Sequence, residues 1–256
     1  RHSEEVSVMK ARIKFRKYGA LRFIGHLDVM RFFQKVMRRA EIPIAFTGGY
    51  SPHMIMSFAS PLGIGLSSDG EYFDIELIEP VESEDAVRRM NEACVEGIEV
   101  VSIRQIAEEK KMTGMTILAG ADYLVSIKEE ALPDGWQDQF RIFMEQSEIR
   151  IVKQTKRSEK EVDIRPMIWK WEIRGDKIYL QVASGSAQNL KPDLVMEAFV
   201  RFLEERGDYR GNGGTSPLET GAFGYHRLEM YADMGENGER KLLTLESLGK
   251  DMKKTE

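Results

Sequence analysis

Residues 21–60 read LRFIGHLDVMRFFQKVMRRAEIPIAFTGGYSPHMIMSFAS. This stretch specifies a helix, a glycine-rich turn and the start of a strand. Gly25 stands at the N-cap position, so His26, Leu27 and Asp28 form the first turn. A carboxylate there meets free backbone N–H groups and the positive end of the helix dipole. Met30, Phe33, Met37 and Ala40 recur on one side, with Val29 and Val36 beside them, which is the apolar face of an amphipathic helix. Arg31, Lys35, Arg38 and Arg39 make a basic face. Pro43 is the stop. The turn that follows, Thr47-Gly48-Gly49-Tyr50-Ser51-Pro52-His53, sets an aromatic ring and a second imidazole on flexible backbone.

Working outward, residues 6–17 alternate Met9, Ala11, Ile13 and Phe15 with Lys10, Arg12, Lys14 and Arg16, the period of a half-buried strand. Strands are expected over residues 54–59 and 71–78, joined by the turn-rich run 61–70. A helix capped by Ser83 follows over residues 83–96, then a strand over residues 98–106. The order is β-α-β-β-α-β, the ferredoxin-like arrangement. A second half repeats the order without repeating the sequence. Its strands fall at residues 123–128, 150–155, 167–173, 177–183 and 225–231, and its helices at residues 136–147 and 192–205. The expected fold is α+β with two tandem ferredoxin-like halves, residues 6–107 and 121–232, and a loose polar C-terminal extension over residues 233–256.

The chain has 256 residues, a formal net charge of −5 and one cysteine, Cys94. That thiol forms no internal disulfide, and there is no apolar run long enough to span a bilayer and no secretory h-region at the start. A cytoplasmic protein without membrane contact is expected. Charge is unevenly spread. Residues 10–40 carry ten basic residues against the single acid Asp28, while the rest is strongly acidic. A concentrated basic segment in an acidic chain points to a local polyanion site.

His26, Asp28 and His53 are the cleft candidates, with the two imidazoles as a general acid and base or as phosphate ligands. The bland alternative is that Asp28 caps the helix and His26 packs in the turn. His26, His53, Asp28 and Asp74 are ligand types, but their spacing matches no metal motif, and no metal or cofactor is expected. Cys94 falls on a core-facing helix position and reads as inert. Arg31, Lys35, Arg38 and Arg39 with Tyr50 combine cations and a stacking ring, as single-stranded RNA recognition requires. Lys153, Lys156 and Arg157 in a hairpin extend the nucleic-acid-binding set. Gly211-Asn212-Gly213-Gly214 lacks a following Lys-Ser/Thr and reads as a flexible loop, not a phosphate cradle.

The ordered motifs GHLD, RRA, GYSPH, SFA, PLG and GEYFDIEL between Gly25 and Leu77 resemble the radical SAM-linked family, as does GSAQNLKPD at residues 185–193. That is a bacterial group found alone or fused behind a radical S-adenosylmethionine enzyme. Its members usually carry Pro-Lys after the turn histidine, whereas Met54 and Ile55 follow His53 here. The resemblance implies a radical SAM enzyme as partner. With one cysteine this chain lacks the three-cysteine cluster motif and is not that enzyme itself. Three functions are therefore open. The first is a non-catalytic RNA-binding or substrate-presenting partner of a radical SAM enzyme, acting in modification of RNA or of a translation component. The second is a metal-independent RNA endonuclease using His26 and His53. The third is a protein-docking module that touches no RNA.

Overall fold

A computed structural model describes residues 8–207, 209 and 214–254. Val6 and Ser7, expected in the first strand, and Gly211, Asn212 and Gly213 lie outside the described residues. The protein is mixed α+β and divides into two compact units. The first takes the chain as far as Ala119 and again from Glu229; the second is Gly120–Leu228.

The first unit runs β1 (Met9–Lys17), α1 (His26–Arg39), β2 (Met56–Ala59), β3 (Ser67–Leu77), α2 (Ser83–Ala93), β4 (Ile98–Gln105) and α3 (Gly114–Ile117). β1 lies between β3 and β4, antiparallel to both, with Ile13 opposite Phe73 and Ile103. β2 pairs antiparallel with β3. Alternation along β1 buries Ala11, Ile13 and Phe15 on one side. There the rings of Phe15, Phe33, Phe58 and Phe73 interlock, with centroids 4.6 Å apart for Phe15–Phe33 and 4.8 Å for the stacked Phe58–Phe73 pair. β3 begins at Ser67, not Glu71, so it takes in the end of the turn-rich run.

α1 starts where Gly25 predicts and buries Val29, Phe33, Val36 and Met37. Its end is built before Pro43 is reached. Glu41 N–H donates to the Arg38 carbonyl and Ile42 N–H to the Met37 carbonyl, with Glu41 at φ 53°. That is a Schellman closure carrying a glutamate where glycine is usual. Arg89 of α2 holds the turn by donating to the carbonyls of Ala40 (2.8 Å) and Glu41 (3.3 Å). The cap of α2 is Glu82, whose carboxylate accepts from Asp85 N–H, and not Ser83 as expected.

The second unit runs β5 (Leu118–Ile127), α4 (Trp136–Glu145), β6 (Arg150–Gln154), β7 (Glu159–Asp163), β8 (Ile168–Arg174), β9 (Lys177–Ala183), α5 (Pro192–Glu205) and the first half of β10 (Phe223–Asp233). β9 lies between β5 and β8, antiparallel to each. Lys128 N–H donates to the Ala222 carbonyl, which brings the start of β10 beside the end of β5. β6 and β7 form a separate hairpin. Phe140, Phe143 and Phe199 pack α4 against α5.

Of the loose extension expected over residues 233–256, the described part, residues 233–254, is held to the first unit. β11 (Leu242–Thr244) pairs with the end of β10, and β12 (Lys250–Asp251) pairs with the edge of β4. Leu245 is wholly buried. Ser83 fastens Met252 twice: its N–H donates to the Met252 carbonyl, and its Oγ accepts from Met252 N–H, both at 2.8 Å. Two buried apolar anchors among polar residues are enough to hold a returning strand, yet they leave no periodic pattern. No described helix is long and apolar enough to cross a membrane.

Candidate functional site

Arg12 and Lys14 of β1 are taken up inside the fold. Arg12, 2% exposed, donates from Nε and Nη2 to the two oxygens of Asp74 at 2.8 and 3.2 Å. It also donates to the carbonyls of Leu245 (3.1 Å) and Met112 (2.9 Å). Gly114 N–H donates to Asp74 at 2.8 Å, and a Cβ at Gly114 would stand 3.2 Å from Ala59 Cβ, so the backbone comes close because no side chain intervenes. Lys14 pairs with Glu229 at 2.8 Å, and the Tyr72 hydroxyl donates to the other Glu229 oxygen at 2.7 Å. Burial, then the Glu229 charge, pushes the Tyr72 phenol above its ordinary range. Arg16 meets Asp69 and Glu99, and Lys17 donates to the Ile24 carbonyl. The polyanion surface expected to include this strand therefore loses Arg12 and Lys14, which the 110–117 segment and the C-terminal return cover, while Arg16 stays at the surface paired to two acids.

α1 differs. Arg31 is exposed and lies 3.8 Å from Asp28, a surface pair worth little. Lys35, Arg38 and Arg39 are exposed, with no acidic partner among the described residues. The 46–54 segment beyond the helix is a hairpin standing out of the edge strand. Ile44 pairs with Leu77 and Met56 with Ile75, so the chain leaves β3 and rejoins it two residues on. Phe46 pairs with Met54, Thr47 N–H donates to the His53 carbonyl at 2.9 Å, and His53 N–H donates to Thr47 Oγ1 at 3.2 Å. Tyr50 at the tip is fully exposed and Phe46 half exposed. Ile42 is bonded to the last turn of α1, and Phe46 is four residues on, at most about 13 Å away when extended. The base of the aromatic hairpin therefore lies within that distance of the C-terminal end of α1.

His26 lies elsewhere. It begins α1 with its ring edge-on to Phe58 at 5.1 Å, twelve residues or about 18 Å along the helix from Arg38. His53 is bonded to Thr47, 3.2 Å from Nδ1 to Oγ1. The two imidazoles share no contact among the described residues. Asp28 sits exposed in the first turn of α1. Among the described residues no three His, Cys, Asp or Glu side chains form a metal-holding group. Burial pushes the Cys94 thiol up to about 11.

In the second unit Lys153 lies on β6, and Lys156 and Arg157 lie in the turn of the β6–β7 hairpin. Sequence reasoning missed an exposed apolar set at the start of α1. Phe23, Leu27 and Ile64 are 57%, 59% and 66% exposed. Ile64 packs at 3.8 Å from where a Gly25 Cβ would be, and Gly65 N–H donates to the Arg22 carbonyl. Isoleucine inside a PLGIG loop was the available signal.

The model of a family described as "Uncharacterized protein conserved in bacteria (DUF2344)" matches residues 10–192. This chain is a DUF2344 protein. The DUF2344 span runs from β1 to the first residue of α5, and so contains α1, the aromatic hairpin and the β6–β7 hairpin. It stops short of Glu229 and the C-terminal return. No curated protein matches. Among solved structures there is similarity to one titled "Crystal Structure of an Unknown Protein from Galdieria sulphuraria". It is 9% identical, covers 78% of this chain and 94% of the other, and has a TM-score of 0.24. None of these similarities links the DUF2344 chain to a radical SAM enzyme; that connection stands on the motif resemblance alone.

Proposed function

We propose that this DUF2344 protein is a non-catalytic RNA-binding module that presents a substrate to a partner enzyme, working in the cytoplasm. The observation that carries the reading is the contrast within one basic segment. Arg12, Lys14 and Lys17 of β1 are engaged with internal partners and Arg16 with surface acids, whereas Lys35, Arg38 and Arg39 stand without acidic partners among the described residues, a few residues before a hairpin that projects Tyr50 into solvent. Cations for phosphates and an open ring for base stacking, on one stretch of chain, suit a single strand. A radical SAM enzyme as the partner follows from the motif resemblance. Each unit is read as ferredoxin-like, supported by the orders β4-β1-β3-β2 and β10-β5-β9-β8. The separate contacts of His26 and His53 give the endonuclease no paired acid and base.

Filter binding of a single-stranded 12-mer RNA across salt concentrations tests the reading. The expected result is binding that weakens steeply with salt, with Lys35→Glu/Arg38→Glu costing more than tenfold in affinity and Tyr50→Ala about tenfold. Binding unaffected by salt, or unchanged in both variants, sinks it. A protein-docking role draws on the exposed Phe23, Leu27 and Ile64. Association with the purified enzyme after nuclease treatment, lost in Leu27→Asp, is its test.

A further inference from the structure

In the second unit a groove of about 680 Å³ lies between the β6–β7 hairpin and α5, within the size range of ligand sites. It contains Lys153 from the hairpin and Asn189 and Lys191 from the segment leading into α5. Glu159, opposite Gln154 in the antiparallel register, shares a side with Val152 and Gln154, and all three line the groove. Neither Lys153 nor Lys191 has an acidic partner among the described residues.

Carboxylates line the same groove, and their bonds are incomplete. One Glu159 oxygen accepts from Gln154 at 2.7 Å and one Asp193 oxygen accepts from Leu194 N–H at 3.0 Å. The second oxygen of each has no partner among the described residues. Glu197 is occupied by Arg201 at 2.6 Å. A groove meant only for negative charge would not carry open carboxylates. One meant for a ribose-phosphate chain needs both: ammonium groups for the phosphate, and acceptors for the 2′-hydroxyl that separates RNA from DNA.

We propose that this groove is a second RNA-contacting site, with Lys153 and Lys191 on phosphate and Glu159 and Asp193 on ribose hydroxyls, and that it makes the protein prefer RNA to DNA. The proposal rests on the RNA reading above, and it adds Lys191 and the two acids to the residues that the basic pattern marks.

The test compares fluorescein-labelled 12-mer oligo-U and oligo-dU by anisotropy in wild type, Lys153→Ala/Lys191→Ala, Glu159→Ala and Lys35→Glu/Arg38→Glu. All these side chains are exposed, so the variants retain the fold. The expected result is a wild type that favours RNA and a lysine double variant at least tenfold weaker, its salt slope reduced by about two. Glu159→Ala should narrow the RNA–DNA gap. Loss of binding only in Lys35→Glu/Arg38→Glu, with the groove variants like wild type, overturns the groove and leaves the RNA reading standing. Equal affinity of wild type for both oligomers overturns the ribose assignment. No RNA binding by wild type removes both.

Discussion

Asp74→Ala is the sharpest probe of the first unit. The guanidinium of Arg12 makes four hydrogen bonds, two of them to Asp74. Removing the carboxylate leaves a cation that is 2% exposed with two neutral carbonyls for company. It also strips Gly114 N–H of its acceptor. Breaking a buried pair from one side costs about 3–5 kcal/mol. Against a total stability of roughly 5–15 kcal/mol that is a large share, and it lowers the melting temperature by roughly 10 °C. Urea unfolding followed by far-UV circular dichroism measures it. Trp136, Trp169 and Trp171 all lie in the second unit, so tryptophan emission gives a separate trace for that unit. Arg12→Met/Asp74→Leu should recover most of the loss, because no orphaned charge remains. A loss below about 1 kcal/mol for Asp74→Ala, or a double variant as weak as the single, refutes the view that an uncompensated buried charge is the cause.

Glu41→Gly should stabilise the protein by about 0.5–1 kcal/mol, because glycine adopts the positive φ that ends α1 without steric cost; thermal melts that show a loss contradict the Schellman reading. Cys94 should react with iodoacetamide at pH 8 roughly 200-fold more slowly than an unshifted thiol of pKa about 8.5, with the difference vanishing in denaturant. The sign follows from a folded pKa raised to about 11. The neutral thiol is favoured in the fold, so its contribution is intact below pH about 8.5 and lost as pH rises towards 11. Alkylation already as fast as in denaturant at pH 8 contradicts this.

The helices were legible because their signals are local. Gly25 before HLD, the spacing of Phe33 and Met37, and Pro192 opening α5 each act within a few residues. Partners distant along the chain were not legible. Arg12 finds Asp74 across 62 residues and Lys14 finds Glu229 across 215, and no spacing rule reaches that far. An alternating basic strand looks the same whether it faces solvent or a covering segment. The candidate site was half legible for the same reason. The cations of α1 stay exposed because a helix shows its polar side wherever one apolar face suffices, whereas the route of the Thr47–His53 turn depends on its base at Leu77 and Ile75.

The return of the chain has a consequence for synthesis. The second unit is one unbroken run, Gly120–Leu228, set within the sequence of the first. It leaves the ribosome whole while the first unit still lacks its end. At about 5–20 residues per second, Lys14 waits on the order of 10–40 s for Glu229, and Arg12 somewhat longer for Leu245. During that interval β1 holds two cations destined for the interior without all their partners. The order of completion is thus inverted: the half made second is the half finished first.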